Sequence, residues 1–162
     1  MSDPASVGAL IEDYVARGVF RAAARPSSGN GREQYRIVWF RDQCMSLDVD
    51  TRRARASLSG VLPPVEPNSK IDRTLRAWLR SRQAPERPAH RRLDPDQFQT
   101  GLRNTAGHLK LSVVSKANDP ILAARKLLHL ANELYLDFLA APERYDWIVE
   151  AFDLDPDNPR WP

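Results

Sequence analysis

At 162 residues, 42% hydrophobic and 28% charged, the chain has the make-up of one globular domain able to bury a core, and it is too short for two independent α/β units. One cysteine, Cys44, excludes an intramolecular disulfide, and no apolar run approaches the roughly 18 residues of a membrane span. The net charge is +3, but arginine outnumbers lysine 20 to 4, a bias of a GC-rich genome as much as of nucleic-acid binding.

The opening Met1-Ser2-Asp3-Pro4 lacks the basic and apolar regions of a secretory leader, so a soluble cytoplasmic protein is expected. The ordered core should span 4–152, within a single domain 1–162 that ends in an acidic, proline-rich tail at 153–162. Asp3 and Pro4 have the form of a helix cap and first helical position. Val7, Leu10, Ile11, Tyr14 and Val15 then recur at helical spacing until Gly18, predicting a helix over 4–17. Phe20 to Arg25 and the β-branched and aromatic run Tyr35 to Phe40 predict a hairpin around the polar loop 27–31. After a turn at Asp42-Gln43, Met45, Leu47 and Val49 alternate with Ser46, Asp48 and Asp50, the pattern of a half-buried antiparallel strand that would hold Cys44 inertly.

A further strand over 54–61 ends at Pro63-Pro64, because proline cannot donate to a sheet ladder. Ser69 with Asp72 approximates a capping box, and Ile71, Leu75, Trp78 and Leu79 form the apolar stripe of a helix over 69–82 whose other face is arginine. Three prolines make Gln83 to Pro95 an extended surface loop. Phe98 to Arg103 and Leu109 to Ser115 predict a second hairpin around Asn104 to Gly107. Asp119-Pro120 opens a long helix with Leu127, Leu128, Ala131, Leu134, Tyr135 and Phe138 on its buried stripe. A last helix follows Pro142, carrying Tyr145, Ile148, Val149 and Phe152.

The order helix, meander, helix, hairpin, helix predicts an α+β domain, an antiparallel sheet (meander plus hairpin) with helices packed on one face. That order resembles the type III secretion chaperone-like fold shared by YbjN-type bacterial proteins, over most of residues 4–139. The resemblance implies a bacterial, non-enzymatic and usually dimeric binder of other proteins. The extra strand, the arginine-rich loop near His90 and the last helix depart from it.

Charge is unevenly spread. Residues 70–92 hold Lys70, Arg73, Arg76, Arg80, Arg82, Arg87, Arg91 and Arg92 against Asp72 and Glu86, whereas acids dominate from Asp119 to Asp157. The molecule is therefore expected to be electrostatically two-sided. The loop His90-Arg91-Arg92-Leu93-Asp94 joins an imidazole, two guanidiniums and a carboxylate, a set able to grip phosphate or carboxylate. The plainer alternative is that Arg91 and Arg92 bridge to the acidic C-terminal helices, with Asp94 capping the next turn. His129, Glu133 and Asp137 share a helical stripe without the further ligands that zinc needs. Asp153, Asp155 and Asp157 begin like a calcium loop but lack its glycine and terminal glutamate. Gly29-Asn30-Gly31 has no phosphate-loop lysine, and nothing pairs Cys44 or a serine with a histidine base. Trp39 and Trp78 are stacking platforms or, more commonly, core.

These readings favour a non-catalytic, chaperone-like or adaptor domain without metal or cofactor. It would engage an acidic protein partner, or itself as a homodimer, through a sheet face or edge and the basic residues Arg73, Arg76, Arg80, His90, Arg91 and Arg92. The alternatives are a nucleic-acid binder using Lys70 to Arg92, and a small-molecule site or enzyme at His90–Asp94.

Overall fold

The computed structural model describes residues 5–39 and 43–154. Its helix α1 (Val7–Ala16) buries Val7, Leu10, Ile11 and Tyr14, and Ser6 caps it by accepting the Ala9 amide at 3.1 Å. The Asp3-Pro4 cap expected from sequence lies outside the described residues. Gly18, at φ +74°, releases the chain in the left-handed conformation that glycine adopts freely.

Strands β1 (Ala22–Gly29) and β2 (Arg32–Trp39) form the first hairpin. The serine tract expected as a loop is the end of β1. Only Asn30 and Gly31, both at positive φ, make the turn, as a two-residue hairpin requires. The β1 register slips between Ala24 and Ser27 around Pro26, a disruption tolerated on an edge strand. In β2, Tyr35, Ile37 and Trp39 are buried, and Trp39 meets Phe20 edge to face at 4.9 Å. That tryptophan is core. The turn expected at Asp42-Gln43 lies partly outside the described residues, and Gln43 already begins β3 (Gln43–Asp50). There the expected alternation holds: Met45, Leu47 and Val49 point inward, and Cys44 is exposed on the other face.

β4 (Arg55–Ser59) completes the meander and is shorter than its sequence pattern suggests, because Gly60 turns at φ +79°. Val61, Leu62 and Val65 remain buried as the chain leaves the sheet. After α2 (Lys70–Ser81) and a loop containing one 3-10 turn at Ala89–Arg91, β5 (Phe98–Thr105) and β6 (His108–Ser115) form the second hairpin. Its turn is tighter than expected, only Ala106 and Gly107, both at positive φ. β6 returns beside β4, so meander and hairpin form one antiparallel sheet ordered β1-β2-β3-β4-β6-β5.

Helix α3 (Pro120–Glu133) begins where Asp119 accepts the Ile121 and Leu122 amides, each at 3.1 Å. The helix expected to run unbroken to Phe138 instead widens into a π turn over Leu134–Phe138. That change keeps Leu134, Tyr135 and Phe138 buried but leaves Leu136 61% exposed. The Tyr135 hydroxyl donates to the Val61 carbonyl, tying the helix to the chain leaving β4. A 3-10 turn at Pro142–Arg144 and α4 (Tyr145–Ala151) follow. The inward side chains of the strands and the buried stripes of the helices belong to one apolar cluster. The helices thus cover one face of the sheet, the α+β architecture that the element order predicts.

The crossover from β4 to β5 is secured by a buried carboxylate. Ser69 caps α2 by accepting the Asp72 amide at 3.2 Å. Asp72, 2% exposed, in turn accepts the Asn68 amide at 3.1 Å, Asn104 Nδ2 at 3.2 Å and Arg76 Nε at 3.3 Å. Asn104 also donates to the Val65 carbonyl and accepts the Gly107 amide, both at 2.9 Å. One network therefore joins the crossover, the start of α2 and the turn of the second hairpin. Desolvation pushes the Asp72 carboxyl up, but the hydrogen bonds from Asn104, the Asn68 amide and Arg76 outweigh it and hold the group below its ordinary value of 3.8.

Because that value is lowered on folding, the contribution of Asp72 is complete above pH 3.8 and is lost as the pH falls through the folded value. Asp72→Ala is expected to cost about 2 kcal/mol, since it removes the acceptor shared by Asn104, the part-buried Asn68 amide and Arg76. Urea unfolding at pH 7 measures this, and the deficit of the variant should shrink at pH 3.

Candidate functional site

The six basic residues singled out from sequence divide into those consumed by the fold and those left at the surface. Arg73 donates to the Asn68 carbonyl at 2.7 Å, and Arg76 reaches both Asp72 and the Leu102 carbonyl, the latter at 3.1 Å. Counting back from the two-residue turn, Leu102 occupies a non-hydrogen-bonded position of β5, so its carbonyl points out of the sheet edge and Arg76 caps it. The Arg80 side chain is exposed and makes no ion pair or hydrogen bond among the described residues. Arg92 turns to the Gln83 carbonyl at 3.1 Å and to Asp94 at 3.6 Å. Asp94 also accepts the Asp96 amide at 2.9 Å, the cap that the plainer sequence reading expects.

Arg91 and the neighbouring Arg82 cross to α3. The Arg82 side chain, 4% exposed, places its guanidinium 4.3 Å from the Trp78 ring centroid. Its two terminal nitrogens each lie 3.1 Å from a carboxylate, one from Glu133 and the other from Asp137. Glu133 uses its second oxygen for Arg91 at 3.4 Å, and Trp78 Nε1 donates to Asp137 at 2.9 Å. The hydrogen bond from Trp78, assisted by the charge of Arg82, keeps the Asp137 carboxyl below its ordinary range. Trp78 thus packs on Phe138, with ring centroids 5.8 Å apart, and under a guanidinium.

The basic and acidic segments therefore meet within one chain, and the two-sidedness expected from sequence is partly cancelled at this junction. The stripe considered for metal binding is spent here too: Glu133 and Asp137 face Arg82, and no group of three potential metal ligands occurs among the described residues. The calcium-like aspartates at 155 and 157 lie outside those residues. His90 and His129 share a cleft of about 380 Å³ bounded by these ion pairs. Partial desolvation, with the positive charges of Lys126 and Arg125, holds His129 below its ordinary value of 6.5, so the imidazole is neutral at pH 7. Of the loop set, His90 and Arg91 line this cleft while Arg92 is turned to its own loop.

A second surface lies on the sheet face that no helix covers. Register places Asp48, Ser57, Ser112 and Gly101 in one row across β3, β4, β6 and β5. On either side lie the rows Ser46, Ser59, Lys110, Arg103 and Asp50, Arg55, Val114, Gln99. A trough of about 240 Å³ opens here, lined by Arg32, Arg53, Arg55, Arg103 and Lys110 with Asp48 and Asp50. Asp50 is occupied, accepting the Arg52 and Arg53 amides at 3.1 and 3.2 Å with Arg32 and Arg53 each 3.9 Å away. Arg55, Arg103 and Lys110 have no carboxylate partner among the described residues. Arg103 and Lys110 stand directly opposite each other, a like-charge pair that weakens a sheet.

The floor is low because its residues are small. A Cβ added to Gly101 would lie 2.9 Å from Ser112 Oγ, so a side chain at that position would displace the serine. Ser57 is 5% exposed, and its hydroxyl has no hydrogen-bond partner among the described residues. None of these positions stood out in sequence. Their signal was the polar half of the alternation in β3, β4 and β6, which shows its meaning only once β4 and β6 are paired.

No protein family, curated protein or solved structure matches the chain.

Arg82→Ala is expected to destabilise the fold by about 2 kcal/mol, because the half-buried Glu133 and the more exposed Asp137 lose the buried guanidinium that holds them together. Arg82→Lys should recover less than half of that, since an ammonium cannot fork to two carboxylates while stacking on an indole. The urea midpoints of the two variants measure both effects.

Proposed function

We propose that the chain is a non-catalytic, chaperone-like or adaptor-like binding domain that holds an acidic segment of a protein partner against the uncovered face of its sheet. The observation that carries this reading is the trough, where Arg55, Arg103 and Lys110 are gathered without partners above a floor of serine and glycine. A stable fold gains nothing from an unpaired like-charge pair across two strands, whereas an acidic ligand turns that liability into affinity and a fast, steered encounter. The cations of residues 70–92 support the reading indirectly. Most of them are engaged by backbone carbonyls or by the chain's own carboxylates, which leaves fewer charges there for nucleic acid. The element order on which the resemblance to chaperone-like and YbjN-type proteins rests is the order found here, and it favours a protein partner.

Self-association is a second reading with its own support. Glu143, Asp146, Glu150 and Asp153 are exposed on and beside α4, so a second copy carries an acidic surface that complements the trough.

The test is fluorescence anisotropy of a labelled oligo-glutamate peptide. Binding should weaken as salt is raised, disappear in the double variant Arg103→Glu, Lys110→Glu, and survive Arg80→Glu, which alters only the basic face of α2. Loss of binding in the Arg80 variant alone would move the site to α2. Tighter binding of a single-stranded oligonucleotide than of the peptide would favour the nucleic-acid reading. Sedimentation velocity at low and high salt decides between a separate partner and a second copy.

A further inference from the structure

The trough differs from a general acidic-binding surface in its shape and in its hydrogen-bond donors, and we propose that its inner part is a subsite for a phosphoryl group carried on a serine or threonine of the partner segment. This rests on the reading of the sheet face as the binding surface and specifies what that face recognises.

Arg55, Arg103 and Lys110 come from three neighbouring strands, β4, β5 and β6, and line the same trough of about 240 Å³. Register sets Lys110 opposite both Ser59 and Arg103, with Arg55 on the far side of the Ser57–Ser112 row. The three charges therefore stand around a small floor and do not form a line along one strand. A carboxylate brings one negative charge and two oxygens, which three cations and a hydroxyl over-satisfy. A phosphate monoester brings a charge of about −1.5 to −2 and three acceptor oxygens, a closer match in charge and in donor number. Guanidiniums add forked recognition of such oxygens.

The floor supplies the second, independent observation. Ser57 is a polar side chain 5% exposed that lines the trough, with a hydroxyl unengaged by any described residue. Its hydroxyl opens into the trough, where an oxyanion seated on the floor would accept from it. Gly101 carries no side chain at the β5 end of the row, and the Ser112 hydroxyl lies where its Cβ would stand. Asp48, at the β3 end of the same row, repels an anion and so confines it to the β4–β6–β5 side. The two ends of the floor differ in charge, which gives a bound segment a preferred direction.

The experiment compares one acidic peptide in its serine and phosphoserine forms, with inorganic phosphate as a third probe, all at matched ionic strength. Anisotropy gives the affinities, and amide shifts at Ser57, Gly101 and Ser112 report the location. The phosphorylated peptide is expected to bind at least about tenfold more tightly than its serine form, in line with the strength of charge-assisted pairing. The preference should vanish in Arg55→Ala and in Arg103→Ala, Lys110→Ala. In Ser57→Ala, which removes only the hydroxyl, the fold should be kept and the preference reduced. Equal affinity for the two peptide forms overturns the phosphoryl subsite while leaving the acidic-partner reading intact. Failure of both forms to bind overturns the two together. Inorganic phosphate binding as tightly as the phosphopeptide overturns the assignment to a protein segment, because the rest of the peptide would then contribute nothing.

Discussion

The pairing of β4 with β6 is the constraint on which the rest of the structure depends. These strands are distant in sequence, and their ladder turns a four-stranded meander and a separate hairpin into one sheet with a single core face. The chain must leave β4, pass through α2 and return two strands away, a long closure whose entropic cost has to be met by contacts at both ends. Asp72 and Asn104 provide those contacts. The carboxylate gathers the start of α2, and the amide side chain fixes Val65 and Gly107, so the crossover and the hairpin turn are held in one register. Without that register Ser57 would not lie beside Ser112, nor Arg55 on the face that carries Lys110 and Arg103.

Charge in this protein has two destinations. At the junction of α2, the following loop and the π turn of α3, opposite charges satisfy one another, with the buried Arg82 forked between Glu133 and the exposed Asp137 over an indole. Such a cluster fixes how the pieces sit more than it adds net stability, because desolvation offsets much of the attraction. On the open sheet face the opposite holds: cations are placed side by side with no carboxylate partner among the described residues. The formal net charge of +3 therefore says less than the partition of its contributors.

Local signals in the sequence located most elements. The caps at Ser69 and Asp119, the alternation of β3 and the apolar stripe of α3 all depend on neighbours a few residues away, and they have the same meaning in sequence and in structure. The pinning of the arginine-rich loop to the acidic helix was also legible, because complementary charge on two segments suggests their contact. Ser27-Ser28-Gly29 misleads because polar residues at the end of an edge strand have the composition of a turn. The π turn leaves no mark, since Leu134, Tyr135 and Phe138 suit an α-helical stripe equally well. The trough was illegible for a different reason. Arg55, Arg103 and Lys110 are each an ordinary outward residue of a strand; the second hairpin pairs Arg103 with Lys110, but only the long-range pairing of β4 with β6 adds Arg55 to them.

The two outer strands bear on how molecules of this kind can assemble. β1 loses register at its bulge around Pro26, and the Leu102 carbonyl on the rim of β5 is already occupied by Arg76. A strand offered by another molecule would find an interrupted row of donors on one side and a blocked acceptor on the other. Continuation of the sheet into a fibre is thereby discouraged at both rims.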